Sequence, residues 1–536
     1  MRWIGIVCLA LFTAAGFGQL SPLTRAEATE YAETSRYEDV VQFLRSLQST
    51  GHSILVQNVG VSDGGRPIPL VVASRGGIVT PVEARREGRL VVYIQANIHG
   101  GEVEGKEAIL MLLRDLLQGA SPAILDKCVL LIAPIYNIDG NEKWGDGMRN
   151  RPSQDGPAAI GERANGKGLD LNRDCMKAES PEMRAILKHV YGTWDPEVVM
   201  DLHTTNGTRH GFDLTYSPPL NPGMSDGVLR YTRDKLLPQI RKKLAEEKGI
   251  RLFDYGNLSA GQPPQWRTFG FEPRYVTNYA GVRNRIAILS EATSYLPFRD
   301  RVRVTYEFVL ALLSEFAKNP EEVIRIVRAA DAEVRAWGTA AARPSLGVRF
   351  EMESRGEEAI PIEVPNPKEP VARNKRPQEL QDVRAQILDR FRATRSREVP
   401  AAYVIPASET GVVELLLLHG VIIERLEAAV SAEADIFNVS EVAVAQNAFQ
   451  GHRLVRLEGD FRREVAQLAD GSFVVRIRQP LACLAFHFLE PESLDGVVAW
   501  GFLTQTPEVG KPYSISKLTA VPSAPMTRVL SVSSGS

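Results

Sequence analysis

Four separated runs of branched and apolar residues constrain the fold of this chain more than any other feature of its sequence. The runs are RLVVYIQANI from residue 89, CVLLIAPIYNI from residue 128, EVVMDL from residue 197 and RIAILS from residue 285. Their length and branched-residue content are typical of strands buried on both faces, and EGKEAILMLLRDLLQG after the first run has helical periodicity. The alternation of strand and helix predicts an α/β domain.

The composition fits a large globular protein with a balanced charge. The chain has 536 residues, of which 44% are apolar and 24% are charged, so it can form more than one folded unit. Lysine and arginine together number 63 and aspartate and glutamate 65, so no strong field favours nucleic acid or an anionic membrane surface. A small neutral or mixed substrate is therefore easier to accommodate.

The first residues have the design of a signal peptide. Arg2 forms a short basic region, an apolar run of about a dozen residues follows, and small residues come next. We expect residues 1–19 to be removed and the protein to be exported, to the periplasm or the extracellular space. No later stretch approaches the roughly 20 apolar residues of a membrane span, so we expect no stable membrane insertion. Cys8 lies within the predicted signal peptide, and the other three cysteines, Cys128, Cys175 and Cys483, are widely scattered and imply no disulfide framework.

Composition also predicts a division into domains. We assign residues 20–345 to the α/β domain, in which the last helical pattern, from about Tyr306 to Trp337, is broken near Asn319-Pro320. Residues 346–395 are rich in proline and charge around their first half, as a linker or an extended crossing would be. Residues 396–530 contain short alternating runs such as AAYVIPA and GSFVVRIRQ, which predict a smaller β-rich C-terminal domain.

Three polar residues follow predicted strands at the point where each strand should end. They are His99, His203 and Glu291. In open α/β sheets, functional groups converge in the crevice beyond the carboxyl ends of the strands, so residues far apart in sequence can meet there. The recurrence of this placement predicts a site at that edge of the sheet.

The predicted site has the ligands of a catalytic zinc ion. His99 and Glu102 lie three residues apart in the glycine-rich turn HGGEVEG, and His203 in DLHTT supplies a third ligand. Two imidazoles and one carboxylate leave a fourth position for water, as in catalytic rather than structural zinc sites. The competing interpretation is that each residue is an ordinary hydrogen-bonded histidine or glutamate at the rim of the sheet. The zinc interpretation is favoured because these residues occur together, in this order along the chain, each after a predicted buried strand.

At these residues the chain resembles the zinc carboxypeptidases of the carboxypeptidase A/B and E/D type. Four segments match in order over roughly residues 35–320: HGGEVEGKEA, GERANGKGLDLNRD, DLHTT and ILSEAT. Carboxypeptidase A has the same set of zinc ligands. The resemblance implies a mixed central sheet flanked by helices, one zinc ion, and hydrolysis of peptides that carry a free C-terminal carboxylate.

The resemblance also assigns substrate-binding residues. Asn172 and Arg173 would bind the terminal carboxylate, which a guanidinium can hold with two parallel hydrogen bonds. Arg163 would polarise the scissile carbonyl, with Arg149 and Arg151 as rival candidates. The competing interpretation of DLNRD is a polar surface turn.

Three further roles follow from the resemblance. Asp170 would orient the imidazole of His99, unless it is an ordinary surface aspartate. Glu291 would act as general base toward water and then deliver the proton to the departing amine, unless it pairs with a nearby arginine. Tyr279 in TNYAGVRNR is the nearest candidate for a tyrosine that caps the substrate, although it could equally pack in the core.

Two other functions stay open from the sequence. One is a zinc acyl-amino-acid amidohydrolase of the aspartoacylase or desuccinylase kind, which has similar motifs in the same order. The other is an envelope binding protein that keeps the fold without turnover and recognises its ligand through the C-terminal domain, which has no counterpart in the minimal enzymes. The preferred terminal residue and the oligomeric state are not predicted.

Overall fold

The computed structural model describes residues 21–49, 54–205, 207–259, 261–338, 343–364, 368 and 371–531. The predicted signal peptide, residues 1–19, lies outside these ranges. Among the helices within them, none combines the length and the apolar character needed to cross a membrane.

The strands of the described residues are numbered in chain order. They are β1 Ile54–Val61, β2 Pro67–Ala73, β3 Leu90–Ala96, β4 Cys128–Ala133, β5 Gly145–Asp146, β6 Ala159–Ile160, β7 Val198–Thr205, β8 Leu214–Ser217, β9 Leu252–Asp254, β10 Asn257–Ser259, β11 Gln265–Arg267, β12 Ile286–Thr293, β13 Ser345–Glu363, β14 Leu380–Glu398, β15 Ala402–Ile405, β16 Glu424–Leu426, β17 Val430–Val444, β18 Val455–Leu468, β19 Phe473–Arg476, β20 Ser516–Leu518 and β21 Met526–Arg528.

The helices of the same residues are numbered in the same way. They are α1 Arg25–Ala28, α2 Tyr37–Ser49, α3 Pro81–Arg86, α4 Glu104–Leu117, α5 Ala123–Lys127, α6 Ile138–Glu142, α7 Gly147–Asn150, α8 Pro181–Ile186, α9 Asp226–Arg230, α10 Leu237–Lys248, α11 Val276–Val282, α12 Phe298–Lys318, α13 Pro320–Ala336, α14 Thr410–Leu418 and α15 Ala482–Leu489. A 3-10 helix spans Leu171–Arg173, and π-helical turns span Leu187–Tyr191 and Tyr231–Leu236.

A twisted sheet of eight strands forms the centre of the molecule, in the order β1-β2-β4-β3-β7-β12-β8-β9. The inner strands β4, β3, β7 and β12 are parallel, whereas β8 pairs antiparallel with β12 and β2 pairs antiparallel with β4. Every residue of β3, β4 and β7 is buried, as their branched apolar sequences predict for strands covered on both faces. The predicted fold class, a mixed central sheet flanked by helices, is confirmed.

The helices that cover this sheet begin and end where the sequence provides stop signals. Asn319 lies between α12 and α13, and Pro320 occupies the first position of α13, where its missing N–H costs nothing. Helix α10 ends at Gly249, whose φ of +64° is readily adopted by glycine. The predicted break near Asn319-Pro320 is therefore present.

The segment predicted as a linker, residues 346–395, contains most of a long antiparallel hairpin. Its strands β13 and β14 pair along their length, and β14 also pairs in parallel with β11. Ile360, Ala385 and Ile387 are buried on its inner face against Trp266. Alternation of apolar and charged residues drives this pairing, and the proline-rich and charged composition of the segment obscured it.

The C-terminal region is rich in β structure, as predicted. Seven antiparallel strands in the order β18-β17-β20-β15-β19-β16-β21 form its sheet, with α14 and α15 packed nearby. One buried apolar cluster continues from the central sheet into this region, and Tyr279 of α11 contacts His419 beyond α14. The predicted domain boundaries stay a prediction, because the two regions share a core.

The buried ion pair between Arg301 and Glu104 provides a test of how the core is held. Both side chains are fully buried, and Arg301 also donates to the backbone carbonyls of Leu296 at 2.7 Å and Gly156 at 2.6 Å. Arg301→Met should lower the free energy of unfolding by about 3–5 kcal/mol, because it leaves the buried Glu104 carboxylate without its charged partner and removes a donor from several backbone carbonyls. Urea titration followed by circular dichroism measures this change.

The matched control is Arg303→Met, two residues along the same helix. The Arg303 side chain is 52% exposed and lies 4.0 Å from Asp300. We expect a change within about 0.5 kcal/mol for this variant. Equal losses for both variants would contradict the role assigned to the buried pair.

Candidate metal centre and substrate pocket

Parallel pairing of three strands places the candidate residues at one edge of the central sheet. Glu291 of β12 lies directly opposite His203 of β7 in the strand register, and His99 follows the end of β3. Strands β7 and β12 extend two residues beyond His203 and Glu291, so these side chains lie near the strand ends rather than after them. The predicted convergence at the carboxyl edge is therefore present.

The turn that carries His99 and Glu102 is built by backbone contacts. The amide of Glu102 donates to the carbonyl of His99 at 2.9 Å. The side chain of Asn97, whose backbone has a φ of +61°, lies 3.2 Å from the His99 carbonyl oxygen and 3.0 Å from that of Glu102. A Cβ atom on Gly100 would lie 2.2 Å from the carbonyl carbon of Gly140, so only glycine fits there.

The three predicted ligands meet at one point. One ligand atom of each of His99, Glu102 and His203 lies within 4.8 Å of the others, and all three residues are buried. The Nδ1 atoms of His99 and His203 each lie 2.9 Å from a different oxygen of Glu102. Two imidazole nitrogens and a carboxylate at this spacing fit the donor set that zinc prefers in catalytic sites.

A carboxylate holds the other ring nitrogen of each histidine. Asp170 lies 3.1 Å from Nε2 of His99, and Asp201 lies 2.7 Å from Nε2 of His203. Gln95 donates to the second oxygen of Asp201 at 3.0 Å. Such partners fix the orientation of a ligating imidazole, and they direct both Nδ1 atoms toward Glu102.

Asp201 was not among the residues predicted from the sequence. The signal was present in DLH, because residues two apart on a strand point to the same face of the sheet.

The charges around Glu102 are arranged to keep its carboxylate ionised. Burial acts to raise the pKa of Glu102, but the charges of His99 and Arg151 and hydrogen bonds from both histidines hold it well below its usual range. Arg151 donates to Glu102 at 2.7 Å and to the carbonyl of Thr204 at 2.8 Å. Burial likewise acts to raise the pKa of Asp170, but a hydrogen bond from His99 and its charge, with that of Arg163, lower it.

Glu291 occupies a different electrostatic environment from Glu102. It is half-buried, and loss of water around its carboxyl group raises its pKa to about 8, although the charges of His203 and Arg151 act in the opposite direction. The nearby carboxylate of Glu102 contributes to the increase. Two carboxyl groups at one site with separated pKa values can serve different roles, one as a ligand and one as a proton acceptor.

Of the three arginines considered from the sequence, only Arg163 is both exposed and part of the pocket lining. Its side chain is 47% exposed and forms a fork on Asp170, with contacts of 3.0 and 2.8 Å. Arg151 is buried behind Glu102, and Arg149 is exposed outside the lining. Of the three, Arg163 is therefore the one accessible from the pocket.

Asn172 and Arg173 reach the same pocket from the 3-10 helix that follows Asp170. The side chain of Asp170 caps this helix by accepting from the amide of Asn172 at 2.9 Å. The Arg173 guanidinium lies over the ring of Tyr275, 4.4 Å from its centroid. Both side chains therefore face the metal centre from one short segment.

Tyr279 lies outside the pocket lining, in contrast to its predicted place near the substrate. Its side chain is fully buried, and its hydroxyl lies 2.6 Å from Nδ1 of His419 and accepts from Arg283 at 3.1 Å. Tyr275 lines the pocket instead. It is the N-cap residue of α11 and has extended backbone, whereas Tyr279 lies inside the helix, whose residues are all buried. Tyr255, which no motif indicated, lines it as well.

The pocket that these elements enclose has a volume of about 180 Å³. Its lining combines the candidate metal ligands, polar and charged residues from the segment 163–173, and a cluster of aromatic rings. The residues are His99, Glu102, Arg163, Asn172, Arg173, His203, Thr204, Tyr255, Phe269, Tyr275, Thr277, Leu289 and Glu291. Of the nine residues predicted for the site, only Tyr279 and Asp170, which lies behind His99, are not in the lining.

Comparison with known proteins gives the same relationship as the motifs. Residues 40–206 match the family model of the zinc carboxypeptidases. Carboxypeptidase 2 of Trichophyton rubrum is 24% identical over 514 residues, which cover 90% of this chain and 86% of the relative. Carboxypeptidase 2 of Trichophyton equinum is 24% identical over 511 residues, with the same coverage.

A solved structure of a metallo-carboxypeptidase from Pseudomonas aeruginosa aligns with a TM-score of 0.39 and 19% identity, over 54% of this chain and 70% of the other. The family match and the relatives confirm the predicted family relationship and the predicted class of enzyme, a metallocarboxypeptidase.

Removal of one ligand tests the metal centre. His203→Ala should abolish stoichiometric zinc binding, because two remaining ligands cannot hold zinc tightly. Zinc content after dialysis, measured by atomic absorption, provides the readout. His189→Ala, at a half-buried histidine outside the site, is the control and should retain one zinc per chain. Full zinc retention in His203→Ala would contradict the ligand assignment.

Proposed function

We propose that this chain, which carries a zinc carboxypeptidase domain in residues 40–206, releases single amino acids from the C-termini of peptides by hydrolysis. The observation that carries the proposal is the meeting of His99, Glu102 and His203 at one point, with Glu291 paired to His203 across the strands. We propose these three residues as ligands of one zinc ion. When bound there, zinc would supply a Lewis acid that activates water near neutral pH.

In this proposal Glu291 moves the protons. As the general base, its carboxylate accepts a proton from the attacking water and later delivers it to the nitrogen of the departing amino acid. A pKa raised by burial supports this role, because a carboxyl group that titrates nearer neutral pH can both accept and donate. Glu291 makes no ion pair with Arg285, which instead binds Asp195 at 2.6 Å and Asp331 at 3.0 Å.

Three further residues bind and orient the substrate. Asn172 and Arg173 hold the terminal carboxylate, an arrangement that limits cleavage to the last residue of the chain. Arg163 donates to the carbonyl oxygen of the scissile bond, on which negative charge develops during attack. The fork between Arg163 and Asp170 supports this role, because it fixes the guanidinium beside His99.

The substrate is therefore a peptide with a free C-terminal carboxylate. Export through the predicted signal peptide is part of the same proposal, and it would place the enzyme where extracellular or envelope peptides are hydrolysed.

Replacement of the proposed base separates catalysis from metal binding. Glu291→Gln should lower kcat by about 100- to 10,000-fold while zinc content stays at one ion per chain, because the amide cannot accept the proton. Release of the terminal amino acid from a blocked dipeptide measures the change. Glu307→Gln, on the outer helix α12, is the control and should keep wild-type turnover. A fully active Glu291→Gln enzyme would exclude this residue as the base.

The carboxylate clamp is tested on the substrate and on the enzyme. Arg173→Ala should raise KM for free-carboxylate peptides about 10- to 100-fold, because charge-assisted hydrogen bonds are lost. Amidation of the substrate carboxylate should abolish release by the wild type. Arg184→Ala, an exposed arginine on α8, is the control and should not change KM. Cleavage of N-acyl amino acids alone, with no release from peptides, would instead support the amidohydrolase alternative.

A further inference from the structure

A hairpin of the C-terminal sheet extends to the catalytic half of the molecule. Strands β17 and β18 are joined by residues 445–454, which we call the hairpin tip. Phe449 and His452 close the tip through reciprocal backbone hydrogen bonds of 2.7 and 3.0 Å. Between them, Gln450 and Gly451 have φ values of +51° and +83°. This tight turn projects the Gln450 side chain away from its own sheet.

Gln450 contacts residues 163–179, which we call the substrate segment because they carry Arg163, Asn172 and Arg173. Its Oε1 atom accepts from the backbone amide of Asp170 at 2.8 Å. Asp170 is the residue whose side chain lies 3.1 Å from Nε2 of His99 and binds the Arg163 guanidinium. Its amide lies at the start of the 3-10 helix that carries Asn172. One hydrogen bond from the C-terminal region thus reaches Asp170, which itself contacts both a proposed metal ligand and a proposed substrate-binding arginine.

The chain just before Asp170 is an exposed turn built around Asn165, whose side chain accepts from the amides of Lys167 and Leu169 at 3.0 Å each. Residues 166–168, the sequence GKG, are exposed, and Gly168 has a φ of +81°. Such a loop costs more conformational entropy to order than the buried strands beside it. The Oε1 atom of Gln450 therefore binds the substrate segment at the point where it passes from an exposed loop into the buried site.

A second contact holds the segment beyond the site. His452 Nε2 lies 2.7 Å from a carboxylate oxygen of Glu179, whose other oxygen accepts from Lys177 at 2.7 Å. The Lys177 ammonium lies 5.2 Å from the ring centroid of Trp500. The hairpin tip therefore contacts the substrate segment on both sides of Asn172 and Arg173.

Phe449 of the hairpin tip is linked by a series of contacts to Tyr275, one of the aromatic residues that line the pocket. Phe449 stacks on Trp500, whose indole donates to Asp495 at 2.8 Å. Asp495 accepts from the amide of Arg274 at 2.6 Å and pairs with its guanidinium at 3.0 Å. The next residue is Tyr275, which lies under the Arg173 guanidinium.

We propose that the hairpin tip completes the active site, with Gln450 as a positioning residue that acts through Asp170 on His99 and on the carboxylate clamp. The proposal rests on the proposed function for its kinetic part. Gln450 is not among the residues that line the pocket. It fixes the backbone from which Asp170 reaches His99, and from which Asn172 and Arg173 reach the pocket.

The test compares side chains of equal length at Gln450. Gln450→Met removes the acceptor, whereas Gln450→Glu retains one. Gln467→Met is the matched control, because Gln467 lies on β18 of the same hairpin and its side chain donates to Ser431 at 2.7 Å, within the C-terminal sheet. For each full-length variant, the zinc Kd is measured by chelator competition, and kcat and KM are measured on a free-carboxylate dipeptide.

Gln450→Met should raise the zinc Kd and KM each about 3- to 10-fold, as expected for loss of one hydrogen bond, with kcat changed less than about twofold. The fork between Asp170 and Arg163 is retained in this variant, and the proposed base Glu291 lies on β12, away from the hydrogen bond that is removed, which is why kcat should change less. Gln450→Glu and Gln467→Met should stay within about twofold of the wild type in all three constants. If Gln450→Met does not fold, Gln450→Asn replaces it, because asparagine tolerates positive φ and is too short to reach the amide.

Unchanged zinc Kd and KM in the variant without the acceptor would overturn the proposal. An equal loss in Gln467→Met would overturn it as well, as would an equal loss in Gln450→Glu. The zinc measurement is independent of turnover. If the wild type releases no terminal amino acid, the proposed function fails, but the comparison of zinc affinities still decides the role of Gln450.

Discussion

The parallel pairing of β3, β7 and β12 is the constraint on which the rest of the site depends. Side chains along a strand alternate between the two faces of the sheet, so a slip of one residue between β7 and β12 would move Glu291 to the opposite face from His203. A slip of β7 would also separate Asp201 from Gln95 of β3 and His203 from Glu102, and it would leave these buried polar groups without partners. The pairing of the strands and the geometry of the charged groups near their ends therefore depend on each other.

At that edge Glu102, His99 and His203 form a network in which each side chain has a charged partner. Glu102 is shared by two histidines and Arg151, and each histidine is held from behind by an aspartate. Partners of this kind are necessary because an unpaired charge in a buried site costs several kcal/mol. The same contacts keep the side chains in one orientation. A site whose donors are fixed in advance needs little rearrangement when charge develops on a substrate.

The C-terminal region is part of this organisation and not an appendage. The long hairpin of β13 and β14 joins the sheet of β10 and β11, and the buried apolar cluster continues from the central sheet into the C-terminal one. Arg274 and Asp495 connect the two regions through a buried ion pair beside the pocket. Truncation of the chain between them would expose a large apolar surface, so the two regions are expected to fold together.

The sequence by itself determined the four parallel strands of the central sheet, the order of the site residues and the candidate ligands His99, Glu102 and His203. These features depend on local periodicity and on short motifs, both of which involve residues close together in the chain. Arg163 was selected from three candidates by a resemblance, and exposure in the pocket supports that choice over Arg149 and Arg151.

Only the tertiary structure decided which tyrosine faces the pocket, which aspartate holds His203, and how residues 346–395 are arranged. Tyr275 and Tyr279 differ by one helical turn, and packing against the core decides which of them is buried. Gln450 lies 280 residues from Asp170 in the chain, and no local pattern marks such a contact. Long-range contacts of this kind depend on how whole elements pack, and that packing is fixed by the summed burial of many side chains rather than by any one segment.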